Sequence, residues 1–359
     1  MSEGPGIFGV GLCCSLGQSF ETASAAYRAG EREFVKTDKL VGPDGLPLRT
    51  APVFSVHEIH NYEERLKRLF ATAFADLGKQ VPIGGMPSPL RLLVPGWLTG
   101  NPILERFVTW IAETYGSHIA SVKLVSSRDA MATVELARSL VELHASQTRA
   151  GYFAAIDSFM HAELLDSLAL NDRLLTREQP HGVIPSEAAV VFFLASDPSA
   201  AGGAAPLGRV VSARPGRETD AIRRPTGLLG RHLAKGVAAA LADGAPDRLM
   251  IDLNGERWRS EEWAVVFAAA PVLPDHMEAD FETPPLTLGY CGAATGAVMA
   301  ALALTDAPPP RGLDRAATDS PPKVATTLTL ISTSQFDGPR AVALIERIRP
   351  HAAQGDDAR

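Results

Sequence analysis

The chain has 359 residues, 46% of them hydrophobic and 21% charged, enough for one large core or two fused halves rather than a marginal small domain. Its net charge of −7 excludes the clustered Lys and Arg that neutralise phosphates, and with them a nucleic-acid footprint or a polybasic membrane patch. No positive segment leads into an apolar run at MSEGPG, and no stretch is long and apolar enough to span a bilayer. The three cysteines, Cys13, Cys14 and Cys291, show neither a disulfide framework nor zinc spacing, so the expected compartment is a reducing cytoplasm.

In chain order, Gly6–Cys14 is an apolar, small-residue run bounded by Ser15, Leu16 and Gly17, the pattern of a buried strand entering a turn. Residues 20–30 read as a helix with Ala23, Ala26 and Tyr27 on one face and Gly30 as its stop. Asn61 is a helix cap with Glu64 three residues on, and Leu66, Leu69, Phe70, Ala73, Phe74 and Leu77 then recur at helical spacing. Residues 90–96 and 117–125 read as strands. The spacing in 130–145 predicts a helix that turns Val134, Ala137 and Val141 inward and Glu135, Arg138 and Glu142 outward.

Residues 151–158 and the run ending at Leu194 are further strands, and SDPSAAGGAAPL (196–207) is a small-residue connector. There the boundary falls between an N-terminal half, 1–200, and a C-terminal half, 201–359. Beyond it come a strand at 209–213, a helix at 228–241, a strand at 249–253 and a helix at 293–303. A proline-rich loop at 307–322, a strand at 326–332, a turn at 334–338, the apolar run 341–348 and a frayed tail complete the chain.

Three stretches carry a family resemblance: GIFGVGLCCSLG (6–17), HGVIPSEAAVVFFL (181–194) and LTLGYCGAATGAVMA (286–300). In that order they resemble the β-ketoacyl synthase branch of the thiolase superfamily. Gly9, Gly11, Leu16, Gly17 and Gly30 match its first strand, turn and helix end. Residues 151–158 are similar to its strand ending in Gly-Gly-x-Asp/Glu-Ser, with Ala154 and Ala155 in place of the glycines, and Pro185, Glu187 and Ala188 match a later motif in which Ser186 replaces a glycine. The resemblance spans nearly the whole chain. It implies an α/β thiolase-like fold of two similar halves in α-β-α-β-α layers, a dimer, and decarboxylative condensation of acyl groups held on acyl carrier protein, with no cofactor and no metal.

The family's catalytic set is one cysteine and two histidines. The nucleophile slot falls at Ser126 or Ser127, or at Asp129 across a gap, where no cysteine stands. A serine there needs a general base to attack a thioester, and the local sequence offers no histidine, so a helix N-cap is the competing reading of both serines. The first histidine slot holds Asn254 and the second Tyr290. Either can donate a hydrogen bond to a thioester carbonyl, but neither carries protons near neutral pH. Cys291 reads as a small thiol filling a tight turn. Phe336 aligns with a phenylalanine that gates the family's acyl pocket, with Asp337 in place of the following glycine.

DLNGERWRSEEW (252–263) concentrates Trp258 and Trp263 among Arg257, Arg259, Glu261 and Glu262, so it reads as an exposed loop, either a contact surface or a solvated stretch with local ion pairs. The scattered histidines show no metal spacing. With the catalytic set absent, the expectation is a β-ketoacyl synthase homologue that works by protein binding. Its partner would be a second copy, a synthase subunit, acyl carrier protein or a component of a bacterial assembly such as a secretion system. The alternatives are an acyltransferase using Ser126 or Ser127, and binding of an acyl thioester without turnover.

Overall fold

A computed structural model of the protein describes residues 4–82, 87–127, 130–146, 148–219, 229–269, 273, 280–306 and 326–349. Asp129, the start of the helix read at 228, the proline-rich loop 307–322 and the tail lie outside the described residues. The strands are β1 Gly6–Cys14, β2 Val35–Val41, β3 Pro47–Thr50, β4 Ser88–Pro95, β5 Ile119–Ser127, β6 Ala150–Ser158, β7 Glu187–Ala195, β8 Gly208–Arg217, β9 Arg248–Ile251, β10 Thr326–Ser334 and β11 Pro339–Ile348. The helices are α1 Phe20–Ala29, α2 Tyr62–Leu77, α3 Pro102–Tyr115, α4 Ala132–Ala145, α5 Ala162–Leu170, α6 Arg231–Leu241, α7 Arg257–Ala269, the short α8 Pro285–Leu288 and α9 Thr295–Ala303.

Nine strands form one sheet in the order β5-β4-β6-β7-β1-β8-β11-β10-β9. Its two wings meet at a single pair, Ile7 with Gly208. Outward from that junction, one wing runs β1-β7-β6-β4-β5 and the other β8-β11-β10-β9. In each wing the first two pairings are antiparallel and the third is parallel. The chain therefore follows one path twice, which is the pair of similar halves the resemblance implies.

Helices sort into layers because each wing has two apolar faces to cover. On the first wing's outer face, Leu66, Leu69, Phe70 and Phe74 of α2 and Phe107 and Ile111 of α3 pack on Leu90, Leu92, Val191 and Phe193. Between the wings, Leu136 and Leu140 of α4 meet Val298 and Leu302 of α9 in one cluster with Val190, Phe192, Ile331 and Ile345. Leu233 and Val237 of α6 and Trp263 and Val266 of α7 close the second wing's outer face over Leu249, Leu330 and Leu344. The result is the α-β-α-β-α arrangement.

Several local expectations hold at the atomic level. Asn61 Oδ1 accepts the Glu64 N–H at 3.0 Å, and Gly30 caps α1 in the left-handed region at φ 74°. At Gly11 the chain requires glycine because a Cβ would overlap the Ala73 carbonyl oxygen and come within 2.8 Å of the Leu77 nitrogen, so only a bare backbone lets α2 lie on β1.

Other expectations fail. In α4 Val134 is buried and Arg138 and Glu142 are exposed as expected, but the buried face also takes in Ala132, Leu136, Leu140 and Leu143, Ala137 is only half-buried, and Val141 is 67% exposed. Glu135 is buried because its carboxylate takes the Arg91 Nη1 at 2.6 Å and also pairs with Arg138. The exposed loop read at 252–263 is instead the short turn that follows β9 and the first part of α7, and both of its tryptophans are buried. The β2–β3 hairpin, α3 and α5 were not legible in the sequence.

Candidate functional site

The family-like site lies where β9, β10 and the turn before α9 converge. After β9 the chain passes through Asp252 and Asn254 to Gly255, whose φ of 102° turns it into α7. Asn254 points inward at 4% exposure. Its Oδ1 accepts the Glu256 N–H at 3.1 Å and its Nδ2 donates to Glu256 Oε2 at 2.9 Å. Gly289, at φ 83°, sets Tyr290 beside Pro185, where the Tyr290 N–H donates to Ile184 O and its carbonyl accepts the Ser186 N–H. The Tyr290 ring packs on Phe159 with centroids 5.0 Å apart.

One residue joins Asn254 and Tyr290, the positions that the resemblance sets opposite the family's histidines. Arg173, in the loop after α5, donates from Nε to Glu256 Oε1 at 2.6 Å and from Nη2 to Glu256 Oε2 and the Tyr290 hydroxyl, both at 3.2 Å. Its guanidinium also lies 5.3 Å from the Tyr290 centroid and 5.2 Å from that of Phe336. The bonds thus run from Tyr290 through Arg173 and Glu256 to Asn254. Burial raises the Glu256 pKa, but the guanidinium groups of Arg173 and Arg259 outweigh that and bring it down to about 2, so the bridge is ionised across the neutral range.

Behind the bridge lies a buried ionic cluster. Arg259 pairs with Asp252 and Glu256, and Arg340 Nε donates to Glu262 Oε1 at 2.6 Å. Glu262 also accepts the Ser334 hydroxyl at 2.9 Å. Burial pushes the Asp252 carboxyl up to about 6 against the pull of Arg259. Trp258 lies edge-on to Phe336 and under the Arg259 guanidinium at 4.4 Å, and Trp263 belongs to the outer core with Phe267.

In front of the bridge is a cavity of about 390 Å³ lined by Trp97, Asp157, Phe159, Arg173, Tyr290, Gln335 and Phe336 with residues of α5. Its lining contains no histidine, cysteine or lysine. Asp157 engages two backbone donors at this edge: its Oδ2 accepts the Ala293 N–H, in the turn before α9, at 2.9 Å, and its Oδ1 accepts the N–H of the neighbouring Ser158, at the end of β6, at 2.8 Å. Gly292, at φ 51°, leaves the room, since a Cβ there would strike that carboxylate.

The candidate nucleophiles are not among this cavity's lining residues, although Ser127 pairs with Pro95, which is one of them. Strand β5 runs two residues further than expected, pairing Ser126 with Val94 and Ser127 with Pro95. Neither serine caps α4, whose N-cap is Met131. The N-cap reading is therefore corrected. Ser126 Oγ meets only the Thr99 hydroxyl, at 2.7 Å, and among the described residues no histidine or carboxylate bonds to either serine. Cys291 is fully buried, its Sγ 3.7 Å from Gly289 O, and burial drives its thiol pKa far up. All three cysteines are free and buried, and no group of potential metal ligands occurs among the described residues.

The structure thus brings Tyr290, Phe336 and Asn254 together and leaves Ser126 and Ser127 outside. Sequence reasoning missed Arg173, Glu256 and Asp157. Arg173 had no local signal, while Glu256 lay inside a run read as solvated.

No protein-family model and no curated protein matches the chain. Solved structures do. The oxazolomycin ketosynthase domain of Streptomyces albus JA3453 superposes with a TM-score of 0.72 at 12% identity, covering 97% of this chain and 75% of that one. A type II polyketide ketosynthase, bound to a hexaketide and in complex with its acyl-carrier protein, gives 0.73 at 12% identity, with 96% and 99% covered. The ishigamide ketosynthase/chain length factor gives 0.72 at 17% identity, again with 96% and 99% covered. Across nearly its whole length, the chain carries the thiolase-like fold of the ketosynthases, with Asn254 and Tyr290 bridged through Arg173 and Glu256.

Proposed function

We propose that the chain works by binding a protein partner and does not turn over an acyl thioester. The observation that carries this reading is the Arg173–Glu256 bridge. It ties Asn254 and Tyr290, which the resemblance sets opposite the family's histidines, to each other and puts a guanidinium between them. Among the described residues the cavity's lining contains no histidine, cysteine or lysine, its one carboxylate, Asp157, accepts the Ala293 and Ser158 N–H groups, and Cys291 is held as a neutral thiol by burial. The division into halves at 200/201 is part of the same proposal, supported by the repeated strand path.

The partner in this reading is a second thiolase-like chain, a copy or a homologous subunit, and the surface is the free edge of β5. That strand ends the nine-stranded sheet, yet only Ile119 of its nine residues is buried and Leu124 is 44% exposed. A long open edge with an exposed leucine is a template for pairing unless something covers it. One of the similar structures is described as a ketosynthase/chain length factor, a two-component assembly on this fold.

The test of inactivity is intact mass after incubation with acyl-CoA and acyl carrier protein thioesters, with product release followed in the same samples. Wild type, Ser126→Ala, Ser127→Ala and Cys291→Ala are all expected to show neither adduct nor product. An adduct lost in one variant would identify a nucleophile and establish the acyltransferase reading instead. The β5 edge has its own check. Sedimentation should give a dimer for the purified wild type and a monomer for Leu124→Asp, whose exposed site leaves the core untouched. Wild type sedimenting as a monomer would remove the second copy as partner.

A further inference from the structure

The two wings are built alike but covered unequally. Helix α2 lies on β1 with 16 residues that include Leu66, Leu69, Phe70 and Phe74, and all nine residues of β1 are buried. Helix α6 takes the matching place on β8 and β11 with 11 residues, among them Ala234, Gly236, Ala239 and Ala240. Gly236 lies close to β11, where a Cβ would stand 3.2 Å from the Val342 methyl. Towards β8 the small side chains leave space: only Gly208 of that strand's ten residues is buried. The result is a cleft of about 450 Å³ between α6 and residues 213–216, within the size range of about 300–1,000 Å³ typical of small-molecule sites.

The cleft has an apolar wall of Ala213, Leu233, Ala239 and Val342, and among the described residues its ionisable lining is Arg214, His232, Lys235 and the deeply buried Arg340, with no acidic residue. Arg214 is held by Asp243 through Nη2 at 2.8 and 2.6 Å, His232 by Glu218 at 3.1 Å, and Arg340 by Glu262. These carboxylates fix the three side chains in place without lining the cleft. Lys235 has no carboxylate within ion-pair distance among the described residues and is exposed on α6. An apolar wall edged by the Lys235 ammonium and the Arg214 guanidinium matches a ligand with one anionic group on an apolar body.

We propose that this cleft binds an anionic amphiphile, its apolar body under α6 against β8 and its anionic group at Lys235 and Arg214. The site is separate from the cavity at Arg173 and does not depend on whether that cavity is catalytic. A carboxylate and a phosphate monoester share the required chemistry, so both are tested.

The experiment is calorimetric titration of the full chain with octanoate, octyl phosphate and octan-1-ol. The anions are expected to bind at least tenfold more tightly than the alcohol, and the tighter of the two identifies the head group. Lys235→Glu should weaken both anions at least tenfold and leave the alcohol unchanged. Ala239→Leu, which fills the cleft from a helix position, should abolish binding of all three. Thermal unfolding of each variant checks that the fold is kept. No binding by wild type, equal binding of anion and alcohol, or anion binding unchanged in Ala239→Leu would each overturn the proposal.

Discussion

Gly11→Ala is expected to be the most damaging single methyl group that can be added to this chain. The new Cβ would overlap the Ala73 carbonyl oxygen, and the atoms it meets next are the Ala73 carbonyl carbon and the Leu77 nitrogen. All are backbone, so no rotamer change relieves the clash and α2 must lift off β1. Overpacking of a core costs about 1–3 kcal/mol where side chains can give way. Here the helix that carries Leu66, Leu69, Phe70 and Phe74 moves as a unit, so a loss of about 3 kcal/mol or more is expected against a total stability of about 5–15 kcal/mol. The measurement is the urea midpoint, with insolubility as the extreme outcome. Gly30→Ala is the comparison. That site is open but has φ 74°, so the cost is backbone strain alone, about 1 kcal/mol. A Gly11→Ala protein no less stable than Gly30→Ala would show that α2 does not lie on β1 as described.

Glu262→Ala should rank next, through charge rather than volume. Glu262 is fully buried, holds the Arg340 Nε at 2.6 Å and accepts the Ser334 hydroxyl. Arg340 is 1% exposed, so removing its carboxylate strands a guanidinium away from water. Breaking one partner of a buried ion pair costs about 3–5 kcal/mol, whereas replacing both with apolar residues of similar volume is often close to neutral. The expected result in denaturant unfolding is therefore a large loss for Glu262→Ala and recovery of most of it in Glu262→Met/Arg340→Met. If the double variant is no better than the single, the pair is held by more than its own charges.

That ionic cluster also shows where sequence reading stopped. Residues 252–263 mix six charged residues at Asp252, Glu256, Arg257, Arg259, Glu261 and Glu262 with two tryptophans, the composition of a solvated loop. In α7 the buried face carries Trp258, Arg259, Glu262 and Trp263 together, so charge and apolarity do not separate into opposite stripes and no amphipathic signal arises. Arg259 finds Asp252 and Glu256 within the run, but the partners of Glu262, Ser334 and Arg340, lie more than 70 positions away. Glu135 of α4 misled in the same way, because Arg91 sits on β4, 44 positions away.

Where the buried face carries a regular apolar stripe, as in α2, or a whole strand is buried, as in β1, the pattern is local and the reading held. Asn254 and Tyr290, which the resemblance sets opposite the family's histidines, were singled out from residue identity alone, without geometry. What joins them was not, because Arg173 sits in an irregular loop with nothing in its neighbours to single it out.

The Arg173–Glu256 bridge has a consequence for any attempt to build proton transfer into this cavity. An imidazole introduced at 254 or 290 would meet the Arg173 guanidinium, which is held by a carboxylate that stays ionised to about pH 2, and a neighbouring cation disfavours a protonated ring. Removing Arg173 on its own would leave Glu256 buried with less of its compensating charge. Redesign of this corner is therefore a coupled problem, in which Arg173 and Glu256 have to change together.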